Sequence, residues 1–479
     1  MTAVRPVVSR SLASLFAIRG VIEGFYGNPW THEERLACVR FIGARGMNTF
    51  VYGPKDDPLV RRRWREPYTD EGLERLAGVV KAGVDAGVEI VYAISPGLSV
   101  HYSSETDLAA LLAKLEQVAS LGVRRFALLL DDLPREMPHA DDRAVFDDIA
   151  DAHASLASAV AAGLGPTRGL IVCPLDYHGT GDEPYLARLA AALDPAVDIT
   201  WTGPAICSPI LEPADAARFR DATGRSPLYW DNYPVNDVAM GWELHIGPYR
   251  GRSADLHEAA RGILANPMEL AEASKIPLAT IADYLADPGG YDPEASAARA
   301  IRDVAGDGSE SGGTDAATFA TFAANVLSSC LAEDDALAVS AALASFAAAA
   351  DAAAETGDRS QLAAVAAGLA AMAEGLLAAA DHLLRGRVSN PRLIDDCRPW
   401  IEAFEIGARA MRRAAGLATD GRLPFDDAAV CGELVPFLVE LRRRRVRVFG
   451  DALLMFLADT TNTHIRPGRL LPVEEGGLS

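Results

Sequence analysis

Short apolar runs alternate with longer stretches of helical spacing from Ala17 to about Leu285. The runs are rich in β-branched residues, and this alternation is typical of βα units arranged around a parallel sheet. Eight such units in about 270 residues predict a TIM barrel, the closed (β/α)8 fold of the α/β class. The eight runs are Ile18–Glu23, Asn48–Tyr52, Glu89–Ile94, Arg125–Leu130, Gly169–Pro174, Asp198–Thr202, Pro227–Asp231 and Gly262–Asn266.

Two of the intervening stretches carry clear helix signals. In Thr31–Arg45, the Thr31 hydroxyl is placed to cap the first turn, and Glu34 completes a capping box. A second helix is predicted over Glu71–Ala86. These helices connect the first three predicted strands.

The pattern changes after the predicted barrel. The segments 286–291 (ADPGGY) and 304–315 (VAGDGSESGGTD) are rich in glycine and acidic residues, so we interpret them as linkers. Beyond Ala316 strand-like runs nearly vanish, and alanine and leucine recur at helical spacing. The sequence therefore predicts an N-terminal extension at 1–16, a barrel at 17–285, a connecting segment at 286–315, and an all-α C-terminal bundle of four or five helices at 316–479.

Composition narrows the possible functions. The chain has 479 residues, of which 49% are hydrophobic and 23% charged, so it can bury large cores in two or three domains. Its 45 Lys and Arg against 66 Asp and Glu give a net charge of -21. Such a surface repels phosphate backbones, which argues against a nucleic-acid partner.

The chain start and the apolar runs predict where the protein is located. No apolar run in Met1–Phe16 has the length of a signal-peptide core, and no later stretch reads as a bilayer span. We therefore expect a cytoplasmic protein with no membrane partner, and the alanine-rich helices make a homodimer plausible. The cysteines form no Cys-x-x-Cys pair and no zinc-like spacing, so we expect free, mostly buried thiols and no metal site. They are Cys38, Cys173, Cys207, Cys330, Cys397 and Cys431.

Polar and aromatic side chains stand at the ends of the predicted strands, where a TIM barrel carries its catalytic residues. Asp131 and Asp132 directly follow a buried strand. Two acids at one mouth can divide the work of general acid and charge stabiliser, although such a pair can also merely cap the next helix or turn. Trp230 ends the seventh strand, where it either packs in the barrel or walls a pyranose ring.

Lys55 follows the second strand and is one of only four lysines in the chain. Three roles are open for it. It can bind a substrate hydroxyl, form a Schiff base, or pair with Asp56 or Asp57.

Several of these segments stand in one characteristic order, and together they closely resemble glycoside hydrolase family 84, whose members include the O-GlcNAcases. The resemblance covers about residues 17 to 285. The segments are 20–30 (GVIEGFYGNPW), 52–57 (YGPKDD), 93–97 (AISPG), 130–132 (LDD), 201–204 (WTGP), 230–232 (WDN), 247–252 (GPYRGR) and 266–267 (NP).

The resemblance implies a retaining exo-β-N-acetylglucosaminidase that needs no cofactor. In this family the acetamido oxygen of the substrate itself attacks the anomeric carbon and forms an oxazoline. By motif, Asp131 would orient the acetamido N–H, Asp132 would act as general acid and base, and Tyr177 would donate to the acetamido oxygen. The implied sugar-binding residues are Gly24, Tyr26, Lys55, Trp230, Asn232, Asp237 and Asn266.

Two other functions are weighed against this hypothesis. One is a Schiff-base lyase built on Lys55, and the other is a sugar-binding barrel without catalysis. A binding protein has no need for the adjacent acids Asp131 and Asp132, which favours the hydrolase. The substrate could be O-GlcNAc on a glycoprotein, a terminal GlcNAc on a glycan, or a cell-wall fragment.

Overall fold

Eight parallel strands form a closed barrel in chain order, which confirms the predicted fold. The computed structural model describes residues 15–332, 336–420, 422 and 428–462. Each strand lies within one residue of its predicted bounds, and β8 closes the barrel by pairing with β1. The strands are β1 (Ile18–Glu23), β2 (Thr49–Tyr52), β3 (Glu89–Ile94), β4 (Arg125–Leu129), β5 (Gly169–Cys173), β6 (Asp198–Trp201), β7 (Leu228–Asp231) and β8 (Gly262–Ala265).

Helices follow the strands around the barrel. Thr31 and Glu34 form the predicted capping box at the start of α1, with backbone and side chain paired reciprocally. Two short 3-10 turns, Val238–Met240 and Leu256–Glu258, lie between β7 and β8. The helices are α1 (His32–Ala44), α2 (Asp70–Ala86), α3 (Glu105–Ala119), α4 (Ala140–Val145), α5 (Ile149–Leu164), α6 (Pro184–Ala192), α7 (Pro213–Thr223) and α8 (Ala271–Ala286).

The barrel strands are buried on both faces. In β2, Val51 points into the barrel, while Phe50 and Tyr52 pack outward against the helices. Trp230 of β7 belongs to the inner cluster, so its ring lies at the strand end beneath the mouth. This two-sided burial explains why the strands read as continuous apolar runs.

The described residues divide into two compact units. The first contains the barrel, continues to Val304, and includes a short segment that begins at Ser329. Helix α9 (Pro293–Ala305) lies inside the predicted connecting segment, where Ser296 and Arg299 both donate hydrogen bonds to Asp283 of α8. The chain between the two predicted linkers is therefore a packed helix. Most of the predicted N-terminal extension lies outside the described residues.

The second unit is helical throughout its described elements, as predicted, but these elements are six helices and not four or five. Its aromatic core includes Phe404, whose ring contacts both Phe322 and Phe449. By length and composition alone, α11 and α12 could cross a membrane, but both also pack against other helices of this unit. The helices are α10 (Gly313–Ala323), α11 (Leu337–Thr356), α12 (Ser360–Arg385), α13 (Pro391–Thr419), α14 (Ala428–Arg444) and α15 (Ala452–Asn462).

Candidate active site

A cavity of about 530 Å3 opens at the carboxyl ends of the barrel strands. A volume of this size is ordinary for a small-molecule site. The structure brings every residue of the predicted site to its wall: Gly24, Tyr26, Lys55, Asp131, Asp132, Tyr177, Trp230, Asn232, Asp237 and Asn266.

A larger cleft of about 1050 Å3 lies beside α4, α5 and α6. Its charged side chains are largely engaged with other protein groups. Arg135 pairs with Asp176, and Arg188 makes a bidentate pair with Asp151. Cavity size alone therefore does not locate the chemistry.

The two carboxylate oxygens of Asp131 differ, because only one of them has a hydrogen-bond partner among the described residues. Its side chain is buried beyond the end of β4, and its Oδ2 accepts a hydrogen bond from the Lys55 ammonium. Its Oδ1 is also buried and has no hydrogen-bond partner among the described residues. Buried polar atoms are normally paired, so an orphaned carboxylate oxygen facing a cavity indicates a ligand donor.

The ion pair of Lys55 differs from the one weighed in the sequence. Neither Asp56 nor Asp57 pairs with it, and its ammonium contacts Asp131 instead. Asp57 accepts a hydrogen bond from the Tyr52 hydroxyl at 2.7 Å, and Asp56 accepts one from the Gly27 amide at 2.8 Å. Lys55 thus belongs to the cavity and not to a surface ion pair.

Asp132 is oriented by two phenols. The hydroxyl of Tyr26 donates to its Oδ2 at 2.7 Å, and that of Tyr177 donates to its Oδ1 at 3.0 Å. Its backbone has a φ of 53°, a left-handed conformation that few residues other than glycine adopt and that clusters at functional sites. The alternative that the two acids cap a helix is wrong, because the next helix, α4, is preceded by His139.

The two phenols remain donors over the working pH range. Burial, followed by the nearby carboxylate of Asp132, raises the pKa of both Tyr26 and Tyr177 above the ordinary value. Neither group can serve as a base near neutral pH. Both can therefore donate hydrogen bonds to Asp132 or to a substrate oxygen.

Amides form the wall opposite the acids. Asn266 accepts from the Gly24 amide at 3.2 Å and donates to Asn232 Oδ1 at 3.0 Å. Asn232 Oδ1 also accepts a hydrogen bond from Trp230 Nε1 at 3.0 Å. Asn232 Nδ2 donates one to the Ile206 carbonyl at 2.9 Å. These bonds fix the indole that forms one side of the cavity.

Only glycine fits at position 24, because the Trp230 ring occupies the space that a side chain would need. A Cβ at this position would stand 2.3 Å from the Trp230 ring, so any side chain would displace the indole. The motif glycine therefore lets backbone and aromatic wall approach each other closely.

Asp237 joins the amide wall to the tyrosines. Its Oδ2 accepts from the Tyr26 amide at 2.7 Å, and burial raises its pKa above the ordinary value. The next residue, Val238, has a φ of 49°, which is unusual for a β-branched side chain. A second strained residue thus lies at the cavity rim.

Sequence reasoning missed a buried support behind the cavity. Arg252 makes a bidentate ion pair with Asp231, which also accepts a hydrogen bond from the Tyr249 hydroxyl. This network anchors the end of β7 between Trp230 and Asn232. The sequence did contain a sign of this network. Tyr249 and Arg252 lie in the segment 247–252, which matches a family motif but was given no role in the sequence analysis.

Other strand-end groups do not reach the cavity. Glu23 is fully buried in a bidentate pair with Arg35 and accepts from the Trp30 amide. It therefore supports β1. The cavity wall also includes residues that sequence analysis did not assign to the site: Cys173, Thr202, Ile206, Cys207, Val235, Val238, Ala239 and Met240.

Within the described residues, no three His, Cys, Asp or Glu side chains are grouped to hold a metal ion. The polar groups on the cavity wall are carboxyl groups, phenols, amides, two thiols, one aliphatic hydroxyl, the Trp230 indole and one ammonium. Aromatic walls with hydroxyl-binding groups and paired acids at the mouth of a TIM barrel are the features of a carbohydrate-processing protein.

Comparison with known families makes this class specific. Residues 19–323 match the family described as beta-N-acetylglucosaminidase. The chain belongs to this family, glycoside hydrolase family 84.

Individual relatives agree with this placement. Over 271 residues the chain is 36% identical to the protein O-GlcNAcases of Rattus norvegicus and Mus musculus, a match that covers 55% of this chain and 29% of each relative. The chain thus matches less than a third of the length of these relatives.

Two solved structures resemble the whole chain. A mutant of the Thermobaculum terrenum O-GlcNAc hydrolase is 30% identical with a TM-score of 0.86, covering 94% of this chain and 96% of its own. The protein CpGH84B is 26% identical with a TM-score of 0.78, covering 93% of this chain and 77% of its own. The helical unit is therefore also shared with solved relatives.

Proposed function

We propose that this protein is a retaining exo-β-N-acetylglucosaminidase that removes terminal β-linked GlcNAc by substrate-assisted catalysis. The observation that carries the proposal is the buried, unpartnered Oδ1 of Asp131 in the same cavity as Asp132. An acetamido N–H is a donor of the kind this oxygen lacks.

In the first step, the acetamido carbonyl oxygen attacks C1 while the bond from C1 to the leaving oxygen breaks. Asp131 accepts the acetamido N–H through Oδ1 and stabilises the positive charge of the forming oxazolinium ion. Lys55 holds the other oxygen and so aims Oδ1 at the substrate. Asp132 gives its proton to the departing oxygen.

In the second step, Asp132 removes a proton from a water molecule that attacks C1. The oxazoline opens, and two inversions leave the β configuration intact. Tyr177 donates to the acetamido oxygen once substrate displaces its bond with Asp132. Asp237, Asn266 and Lys55 bind sugar hydroxyls, while Trp230 and Tyr26 form the walls.

Two features support an O-GlcNAc substrate on protein. The relatives matched above are named O-GlcNAcase and O-GlcNAc hydrolase. The cavity is also open at the barrel mouth, and its rim carries the exposed apolar side chains of Ile206 and Val238. We propose that these rim residues contact the aglycone of a glycoprotein.

The Schiff-base alternative gains no support from the structure. The Lys55 ammonium is paired with Asp131 and lies 5.5 Å from the Trp230 ring centroid. Its nitrogen is thus engaged by a carboxylate and an aromatic ring, whereas a Schiff-base nucleophile needs a nitrogen that is free to attack a carbonyl carbon.

The decisive experiment varies the acetamido group. We expect turnover of an aryl β-N-acetylglucosaminide but not of the matching glucoside. Replacing N-acetyl by N-trifluoroacetyl should slow turnover steeply, because fluorine withdraws electron density from the attacking oxygen. A flat response would exclude substrate assistance, and a 2-fluoro glycoside should then trap a protein carboxylate.

A further inference from the structure

One arginine beside the sugar cavity differs from its neighbours in the chain. The run 61–63 (RRR) lies on the loop between β2 and α2. Arg62 pairs with Asp56, and Arg63 pairs with Glu66. Arg61 has no acidic partner among the described residues, and its Nε is buried without a hydrogen-bond partner. A partly buried cation without a carboxylate is costly, so its position needs another explanation.

The guanidinium of Arg61 lies against an aromatic ring. Its Cζ is 5.3 Å from the centroid of the Tyr26 ring, which is within the range of a cation–π contact. Tyr26 lines the cavity, whereas Arg61 is not part of the cavity wall. Arg61 therefore contacts a wall residue without facing the bound sugar.

The backbone that carries Arg61 is fixed to two strands. The amides of Val60 and Arg61 donate to the Asp57 carbonyl at 3.1 and 3.3 Å. The side chain of Asp57 accepts from the hydroxyl of Tyr52 in β2. Val60 is completely buried, and its carbonyl accepts at 2.9 Å from the amide of Ser95, directly after β3. The Arg61 side chain thus extends from a turn of defined position.

Tyr26 links this arginine to Asp132. Its hydroxyl donates to Asp132 Oδ2 at 2.7 Å, while its amide is held by Asp237. In the proposed mechanism, Tyr177 leaves Asp132 Oδ1 when the substrate binds. Of the two phenols that orient Asp132, Tyr26 alone then remains. The Asp237 contact fixes only the backbone of Tyr26, so the direction of its ring depends on what packs against it.

We propose that Arg61 is a positioning residue, which holds the Tyr26 ring and thereby keeps Asp132 directed at the leaving oxygen. This inference rests on the proposed function, because Asp132 is the general acid there. Arg61 itself touches neither the substrate nor the reacting atoms.

A positioning role of this kind has a specific kinetic signature. The proton from Asp132 matters most for a leaving oxygen that is strongly basic. Loss of Arg61 should therefore slow substrates with poor leaving groups and leave activated aryl glycosides nearly unchanged. A merely structural role would lower the free energy of unfolding and slow all substrates alike.

The first test compares two variants of Arg61. Arg61→Met keeps an apolar stem but loses the charge, and we expect its kcat/KM to fall about tenfold on methyl β-N-acetylglucosaminide and about twofold or less on an activated aryl one. Arg61→Lys keeps a cation and should recover most of this loss. Arg63→Met is the matched control, because exposed Arg63 lies on the same turn and pairs with Glu66. It should match the wild type on both substrates.

A double-mutant cycle tests whether Arg61 acts through Tyr26. Tyr26→Phe keeps the ring but removes the hydroxyl that donates to Asp132. In this background, Arg61→Met should change kcat/KM on the methyl glycoside by about twofold or less, because the two changes interrupt the same link. An undiminished tenfold loss would overturn the proposal.

Crystal structures of the two Arg61 variants provide a measurement that needs no turnover. We expect the hydrogen bond from the Tyr26 hydroxyl to Asp132 to be lengthened or lost in Arg61→Met and retained in Arg61→Lys. An unmoved Tyr26 ring in Arg61→Met, or an equal kinetic loss on both substrates, overturns the positioning role. If the wild type hydrolyses no β-N-acetylglucosaminide, the proposed function fails, while the structures still decide whether Arg61 holds Tyr26.

Discussion

At the scale of single residues, the neighbours Asp131 and Asp132 differ in their surroundings. Asp131 is buried against an ammonium and keeps one oxygen open, whereas Asp132 is exposed at the mouth between two phenols. The surroundings of Asp131 thus suit a fixed negative charge that contacts the acetamido group. The surroundings of Asp132 suit proton exchange with the leaving group and with water. This difference can be tested by removing each carboxylate separately.

For Asp132→Asn, we expect a large loss on substrates with poor leaving groups and a much smaller loss on activated aryl glycosides, whose oxygen scarcely needs a proton. Asp131→Asn should lose about 10²-fold or more on both, since it removes a charge that stabilises the transition state. Leaving-group series of kcat/KM for both variants provide the measurement. Asp176→Asn is the matched control, because this strand-end acid lies outside the cavity and pairs with Arg135. Identical leaving-group dependence in the two variants would contradict the assigned roles.

Lys55→Ala tests the ion pair at the cavity floor. We expect a rise in KM and a 10- to 1,000-fold fall in kcat/KM, roughly 1.4 to 4 kcal/mol, because the variant loses a hydroxyl ligand and leaves Asp131 unpaired. Some activity should remain, and borohydride with substrate should add no mass to the wild type. A completely inert variant together with a borohydride adduct would revive the Schiff-base alternative.

The sequence predicted ten of the residues that line the cavity but not how they pair. The motifs placed Lys55 and Asp131 at strand ends, and barrel closure then brings such ends to one mouth. Their contact was missed because β3 lies between β2 and β4 in the sheet, so the two side chains meet across the barrel interior. Contacts of this kind depend on strand tilt and side-chain reach, which a linear pattern does not contain.

At the scale of elements, the loop after β5 is supported by a buried chain of three side chains. The hydroxyl of Tyr185 accepts from the Leu175 amide at 3.1 Å and contacts His153 Nδ1 at 2.7 Å, while His153 Nε2 lies 3.0 Å from the Tyr102 hydroxyl. Both ring nitrogens of His153 therefore have a hydroxyl partner, one as donor and one as acceptor to the neutral ring. The chain links α5 and α6 to the backbone two residues before Tyr177.

This support should weaken in acid. Burial lowers the pKa of His153 to about 3, against about 6.5 in the unfolded chain. Because the unfolded state binds the extra proton between these values, the free energy of unfolding falls as pH drops through 6.5 towards 3, by about 5 kcal/mol at most.

His153→Gln cannot titrate. We expect the variant to be less stable than wild type at pH 7.5 by about 1 to 3 kcal/mol, and this gap should narrow by about 2 kcal/mol at pH 5.

Denaturant titrations of both proteins at the two pH values check this expectation. The difference in the free energy of unfolding between wild type and variant is used, because the titration of all other groups cancels in it. A gap that stays constant with pH would show that the pKa of His153 is the same in the folded protein as in the unfolded chain.

Strands were easier to predict than the segments between units. Each barrel strand is a buried apolar run bounded by polar residues, which fixes its ends within one residue. Helix α9 was missed between the glycine-rich linkers, because composition does not show tertiary contacts such as the ion pair of Arg299 with Asp283. The short segment that begins at Ser329 was also missed, since the contact of its Cys330 and Leu331 with the barrel core is long-range.

At the scale of the whole molecule, charge is the property that the sequence determines most directly. The net charge is -21, and the cavity wall carries one lysine and three aspartates, so the negative potential extends to the mouth. Such a field attracts cationic partners over distances beyond a hydrogen bond and is screened by salt. If the substrate is a glycoprotein, the charge of the peptide around the sugar should influence its capture.

Two glycopeptides with the same O-GlcNAc-serine test this field, one flanked by lysines and the other by glutamates. At about 20 mM salt we expect the lysine peptide to have a kcat/KM about tenfold or more above that of the glutamate peptide, because steering raises its encounter rate. At about 0.5 M salt the Debye length shortens to a few ångströms, and the ratio should fall to about two or less. An uncharged aryl β-N-acetylglucosaminide is the control and should respond little to salt. A preference for the glutamate peptide at low salt would instead show that local cations at the rim, such as Arg61 over the Tyr26 ring, dominate the field that a peptide meets.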